Sequence, residues 1–265
     1  METHKEFTEL VEVMARLRSE TGCPWDREQD HASLKPYLLE ETYEALEAID
    51  AGDDNELRKE LGDVLLQVVF HAQIAAEEGR FTVGDVCRAI VDKLVHRHPH
   101  VFGDTQVEDA DEVLQNWERI KKAERGGGET PPSALDGVPQ ALPALLRAQR
   151  VQHKASRVGF DWPDANGPLD KVAEEFAELK EAWKEGKKEQ TEEEFGDLLF
   201  ALVNAGRFLD LTPEDALRRA VAKFERRFRA VEEAYRVRGE DMADSTLEEM
   251  DRVWDGVKAQ EKTEG

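Results

Sequence analysis

Residues 175–197 read EFAELKEAWKEGKKEQTEEEFGD, and the fold is decided there. Glu175 and Glu178 stand three apart, as do Glu194 and Asp197, so each pair falls on one face of a helix. Gly186 between them suits the stop of one helix before the next begins. If the two helices fold back antiparallel, four carboxylates converge on one spot. Such charges repel strongly in a partly buried site, so the arrangement makes sense only with cations between them. Hard oxygen ligands without His or Cys among them point to Mg²⁺, with Mn²⁺ as a substitute.

In a chain with 59 acidic residues, an E-x-x-E alone is a solvated helix face more often than a ligand set. An internal repeat changes this. Subtracting 134 from each position returns the quartet as Glu41, Glu44, Glu60 and Asp63. Glu40/Glu174, Glu47/Glu181, Gly52/Gly186, Gly62/Gly196, Leu65/Leu199 and Val69/Val203 match at the same offset. Random acidity does not hold one register through two helices and their turn. The glycine beside each Asp, in ELGD and EFGD, costs about 1 kcal/mol relative to Ala inside a helix. Its return suggests that something approaches the backbone there.

The chain has 265 residues, enough for one large or two small domains. Its net charge of −23 repels nucleic acid and anionic membrane and argues against both as partners. A polyanionic substrate then needs a local basic cluster or metal ions. Cys23 and Cys87 are far apart and form no C-x-x-C, so neither a disulfide framework nor a zinc site is indicated. Apolar runs stay short of the roughly 18 residues of a membrane span, and METHKEFTEL has no signal-peptide core. The expectation is a soluble, cytoplasmic protein.

Helical spacing runs through Phe7, Leu10, Val11, Met14 and Leu17, then breaks in the loop-like TGCPWDREQDHAS. Further helices are expected over 33–51, 54–78, 82–97 and 108–124. The 82–97 helix opens on a Thr82–Asp85 capping box and ends at Pro99. RGGGETPPSALDGVPQ, residues 125–140, reads as a linker. Helices then resume over 142–157, 168–185, 190–209, 213–238 and 245–258. No segment alternates with period two, so the fold class is all-α. The third helix of the unit repeats at offset 130 (Thr82/Thr212, Asp85/Asp215, Lys93/Lys223, Arg97/Arg227) and the fourth at offset 137 (Glu112/Glu249, Trp117/Trp254, Lys121/Lys258). The expected organisation is two tandem helical-bundle repeats, 1–124 and 141–265, around the 125–140 linker.

Lys93-x-x-x-Arg97 and Lys223-x-x-x-Arg227 each present two cations on one helical face, which suits phosphate recognition and equally suits a helix end paired with the abundant Glu. Trp117 and Trp254 could stack on a base, although a Trp at helical spacing more often packs in a core. His96, His98 and His100 have no counterpart in the second half and sit around the helix-breaking Pro99. Glu28-x-x-His31 is a single E-x-x-H, whereas a ferritin-like di-iron site needs two.

E-x-x-E, a gap, E-x-x-D and then K-x-x-x-R resemble the MazG-type all-α nucleoside triphosphate pyrophosphohydrolases in their two-repeat form. CPWDREQDHASLKPYLLEETYEALEAID (23–50), HRHPHVFGD (96–104), LDGVPQALPALLRAQRVQHKASRVGFDW (135–162) and FERRFRAVE (224–232) carry the likeness over nearly the whole chain. The resemblance implies Mg²⁺-dependent hydrolysis of nucleoside triphosphates to monophosphate and pyrophosphate, by a homodimer with a housekeeping role in removing or limiting nucleotides. It implies that Glu175, Glu178, Glu194 and Asp197 hold Mg²⁺. Lys223, Arg226 and Arg227 then lie near the triphosphate and Trp254 meets the nucleotide. Lys171, Glu174 and the turn residues Gln190, Thr191, Glu192 and Glu193 lie along the nucleotide site. Residue chemistry gives no reason to prefer one copy, while the resemblance favours the C-terminal one; Glu41, Glu44, Glu60 and Asp63 remain a second possible metal set. A narrower dUTP or phosphoribosyl-ATP pyrophosphohydrolase and an acidic helical adaptor for basic partner proteins are the competing readings.

Overall fold

The computed structural model describes residues 2–107, 109, 112–113, 116–117, 119–120 and 133–264, and every regular element among them is helical. The chain divides into two compact units, Met1–Gly127 and Gly128–Gly265. Most of the helix expected over 108–124 and the linker's residues 125–132 lie outside the described residues.

The first unit contains α1 (Glu2–Leu17), α2 (Pro24–Glu28), α3 (Lys35–Ala51), α4 (Asp54–Glu77), α5 (Val83–Arg97) and α6 (Pro99–Phe102). Helices α3 and α4 form a hairpin. At its bend Gly52 takes φ +65°, a left-handed conformation that side chains with a β-carbon resist, and Asp53 caps α4 by accepting from the Asn55 and Glu56 amides. The apolar stripe of α1 does what its spacing predicts. Phe7, Leu10, Val11 and Leu17 pack around a buried cluster of Met14, Leu34, Val69, Phe70 and Ile74. Each large side chain so withdrawn from water contributes about 1.5–3 kcal/mol.

Two features differ from the sequence reading. The stretch read as loop-like holds the short helix α2, opened by Pro24 at its first turn. Arg18 fixes it: its guanidinium forks onto Glu77 (Nη2 to Oε2 2.8 Å) and donates to the Gln29 and Asp26 carbonyls. A partner 59 residues away carries no signal in local spacing. Beyond α5, the chain turns at His98 and re-enters a helix at Pro99.

The second unit contains α7 (Ala144–Ser156), α8 (Asn166–Lys184), α9 (Lys188–Phe208), α10 (Pro213–Arg238), a 3₁₀ turn at Met242–Asp244 and α11 (Leu247–Glu264). Helices α8 and α9 pack as a hairpin that bends at Gly186, φ +70°. Against α9 and α10 lies α7, and α11 lies along α10. Small buried residues (Ala182, Ala201, Ala205) let these helices approach closely around Val203, Val231 and Tyr235. The repeated Thr82–Asp85 box closes at α5, whereas at α10 Pro213 occupies the first turn, Thr212 caps nothing and Asp215 pairs with Arg218. The copies also differ in length here, with 15 residues in α5 against 26 in α10.

Candidate active site

The hairpin does bring the carboxylates together. Glu175 of α8 and Glu194 and Asp197 of α9 each offer an oxygen within 4.8 Å of the others, and Glu174, Glu175 and Glu178 form a second such group along α8. Glu175 belongs to both and is the only member withdrawn from water, at 5% exposure. The Glu178 carboxyl is pushed up, first by partial desolvation and then by the charges of Glu175, Glu194 and Glu174. Carboxylates from two helices in mutual repulsion, with only oxygen donors, fit a hard divalent cation such as Mg²⁺, and Mn²⁺ as its substitute.

A cation of the chain's own already stands there. Lys171 Nζ lies 2.7 Å from Glu174 Oε1 and 2.6 Å from Glu175 Oε1. Hydrogen bonds to Glu174 and then to Glu175 push its ammonium pKa far above the ordinary lysine value. Spacings of three and four along a helix permit both pairs, but the sequence placed Lys171 and Glu174 only along the nucleotide site, through the family resemblance, and gave no sign of an ion pair to a buried carboxylate.

Gln190, Thr191, Glu192 and Glu193, expected in a turn, lie inside the first turns of α9, because that helix starts at Lys188. Thr191 donates its hydroxyl to the Lys187 carbonyl and Gln190 donates to Glu194 Oε1 at 3.3 Å. Thr191 and Glu192 also line a cleft of ≈ 500 Å³ at the hairpin end, with Leu179, Trp183, Lys188 and Phe195. Sequence reasoning did not single out Trp183, which is 70% exposed there.

Lys223, Arg226 and Arg227 all lie on α10. Arg227 Nε donates to Glu261 Oε2 of α11 at 2.7 Å, and Arg226 reaches Glu261 Oε1 at 3.4 Å. Arg227 here pairs with a glutamate, the alternative its K-x-x-x-R motif left open, and Arg226 shares that partner. Trp254 of α11 is half-buried and packs on Phe224, with ring centroids 5.3 Å apart. In the first unit the His98 ring meets Trp117 edge-on, at 4.8 Å.

Three of the N-terminal quartet also converge: Glu41, Glu60 and Asp63 group within the same 4.8 Å. Burial first, then Asp63, Glu44 and Glu40, pushes the Glu41 carboxyl up. Glu60 is pushed up as well, by desolvation and by Glu44, with which it shares a hydrogen bond. At the position matching Lys171 by the offset of 134 stands Tyr37, packed edge-on against Trp25. A β-carbon at Gly62 or Gly196 would meet nothing within 4 Å, so packing within the described residues does not account for either glycine.

Residues 29–102 and 168–232 match the family model of the MazG nucleotide pyrophosphohydrolase domain. A protein of Escherichia coli K12 called nucleoside triphosphate pyrophosphohydrolase is 52% identical over 255 residues, which cover 95% of this chain and 97% of that one. One of Thermotoga maritima, called nucleoside triphosphate pyrophosphohydrolase/pyrophosphatase MazG, is 49% identical over 257 residues, 97% of either chain. A crystal structure of a mazG-related protein from Thermotoga maritima aligns with a TM-score of 0.38 at 28% identity, over 43% of this chain and 98% of that one.

Proposed function

The chain belongs to the MazG nucleotide pyrophosphohydrolase family, and on that premise we propose that it hydrolyses nucleoside triphosphates to monophosphate and pyrophosphate, cutting between the α- and β-phosphates. The observation that carries the reading is the convergence of Glu175, Glu194 and Asp197 from two helices. With Glu178 they would hold Mg²⁺. When bound, the ion supplies charge neutralisation at the phosphates and activation of water.

The chain's own groups do the positioning. The α8–α9 hairpin fixes the carboxylates on packed helices, so their geometry is set before substrate arrives. Lys223, Arg226 and Arg227 supply donors to the triphosphate, and Arg227 exchanges Glu261 for a phosphate oxygen. Trp254, with Phe224 behind it, offers a ring to the nucleotide. Thr191 and Glu192 border the cleft at the hairpin end.

The main activity is assigned to the second unit. Two differences support this: Tyr37 replaces Lys171 in the first, and α5 breaks at His98 where α10 continues. A homodimer belongs to the same reading, because Phe195, Leu199 and Leu202 form a helical stripe exposed at 54, 38 and 47%. Housekeeping removal of nucleotides in the cytoplasm is its setting; among the described residues no helix is long and apolar enough to cross a membrane.

A panel of standard and modified triphosphates with Mg²⁺ tests the reading, with pyrophosphate and orthophosphate measured separately. Pyrophosphate is the expected product. Orthophosphate alone would overturn the cleavage site. Absence of turnover, with melting unmoved by metal and nucleotide, would favour the acidic adaptor.

A further inference from the structure

We propose that Lys171 is the resident counter-ion of the carboxylate site: its ammonium group holds the position of the divalent cation until one arrives, and then turns to the triphosphate. The turn to the triphosphate rests on the pyrophosphohydrolase reading; the competition with metal rests on geometry alone. Lys171 Nζ contacts Glu175, the buried carboxylate common to both acidic groups, at 2.6 Å, and Glu174 at 2.7 Å.

An exposed lysine–glutamate pair one helical turn apart would be an ordinary surface contact of little consequence. Here the Glu175 side chain is only 7% exposed, while that of Lys171 is 39% exposed. A carboxylate withdrawn from water beside three others needs a positive charge close by. Lysine suits a temporary holder, being a compact charge on a flexible stem that can leave without disturbing the helix.

The first unit shows the same carboxylates without that cation. Tyr37 stands at the matching position, and Glu44 and Glu60 share a hydrogen bond with each other instead. A divalent ion entering the second quartet must displace Lys171, whereas at the first it displaces none at that position. Lys171 thereby lowers the metal affinity of the empty site and couples metal entry to phosphate binding.

The test is Mn²⁺ binding to the full chain at pH 8 without nucleotide, by electron paramagnetic resonance of the free ion, with Glu60→Gln present throughout to weaken the first quartet. Lys171→Met should bind Mn²⁺ roughly 5- to 10-fold more tightly than its parent, because a competing charge a few ångströms away is gone. Lys171→Arg should restore the weaker binding. At saturating Mn²⁺, Lys171→Met should raise KM for the triphosphate severalfold. A residue that merely supported the helix would loosen metal binding when removed, not tighten it. If Lys171→Met fails to fold, Lys171→Gln carries the same expectation. Unchanged or weaker Mn²⁺ binding in a folded variant, with the parent binding normally, overturns this inference alone. A parent that takes up no Mn²⁺ overturns it together with the metal assignment of the quartet.

Discussion

Spacing makes the four carboxylates of a quartet look equivalent, and the packed structure shows that they are not. Asp197 is exposed, while Glu175 is buried and paired to Lys171. On the proposed metal assignment, Asp197→Asn therefore removes a ligand and some repulsion. It should cut kcat/KM at least roughly 100-fold, with a melting temperature in EDTA equal to or above the parent's. Glu175→Ala should be equally inactive but less stable, by about 1–3 kcal/mol, since it empties a buried position and strands Lys171. Parent-like turnover in either would contradict the metal assignment. The sequence made the carboxylates legible through their repeat, yet it could not say which would be buried, because burial depends on how closely α8 meets α9.

Among the helices, the apolar stripes and the glycine bends were legible; what ties one element to a distant one was not. Arg207 of α9 forks onto Asp161, 46 residues earlier, ahead of α8. Hydrogen bonds from Arg207 hold the Asp161 carboxyl below the usual range. The sign follows: the pair contributes stability above the ordinary carboxylate pKa of about 4, and loses it as pH falls through the lower folded value. Asp161→Asn should cost about 1–3 kcal/mol at pH 7, and the gap from the parent should close below roughly pH 4 in denaturant melts. A gap independent of pH would assign the loss to packing. Arg227, tied to Glu261 by a contact between α10 and α11, makes another such link. Arg227→Gln should lower kcat/KM by the equivalent of about 1.5–3 kcal/mol in steady-state assays. A change below twofold would leave Arg227 as a strut for α11.

At the scale of the whole molecule, one helical unit written twice carries two complete carboxylate quartets within a net charge of −23. Both were legible as candidates, and residue chemistry could not choose between them. The difference lies in what surrounds each: Lys171 against Tyr37, and an α10 of 26 residues against an α5 that stops after 15. A donor on a rigid helix loses less entropy on binding phosphate than one near a helix end, which favours the second unit. The most direct test is ³¹P nuclear magnetic resonance of a nucleoside triphosphate turned over with Mg²⁺ by the full chain, comparing Asp197→Asn with Asp63→Asn, each confirmed as helical by circular dichroism. The expected result is that Asp63→Asn releases pyrophosphate at close to the parent rate, while Asp197→Asn releases almost none. Loss of pyrophosphate release in Asp63→Asn, with Asp197→Asn still active, would move the active site to the first unit and contradict the account.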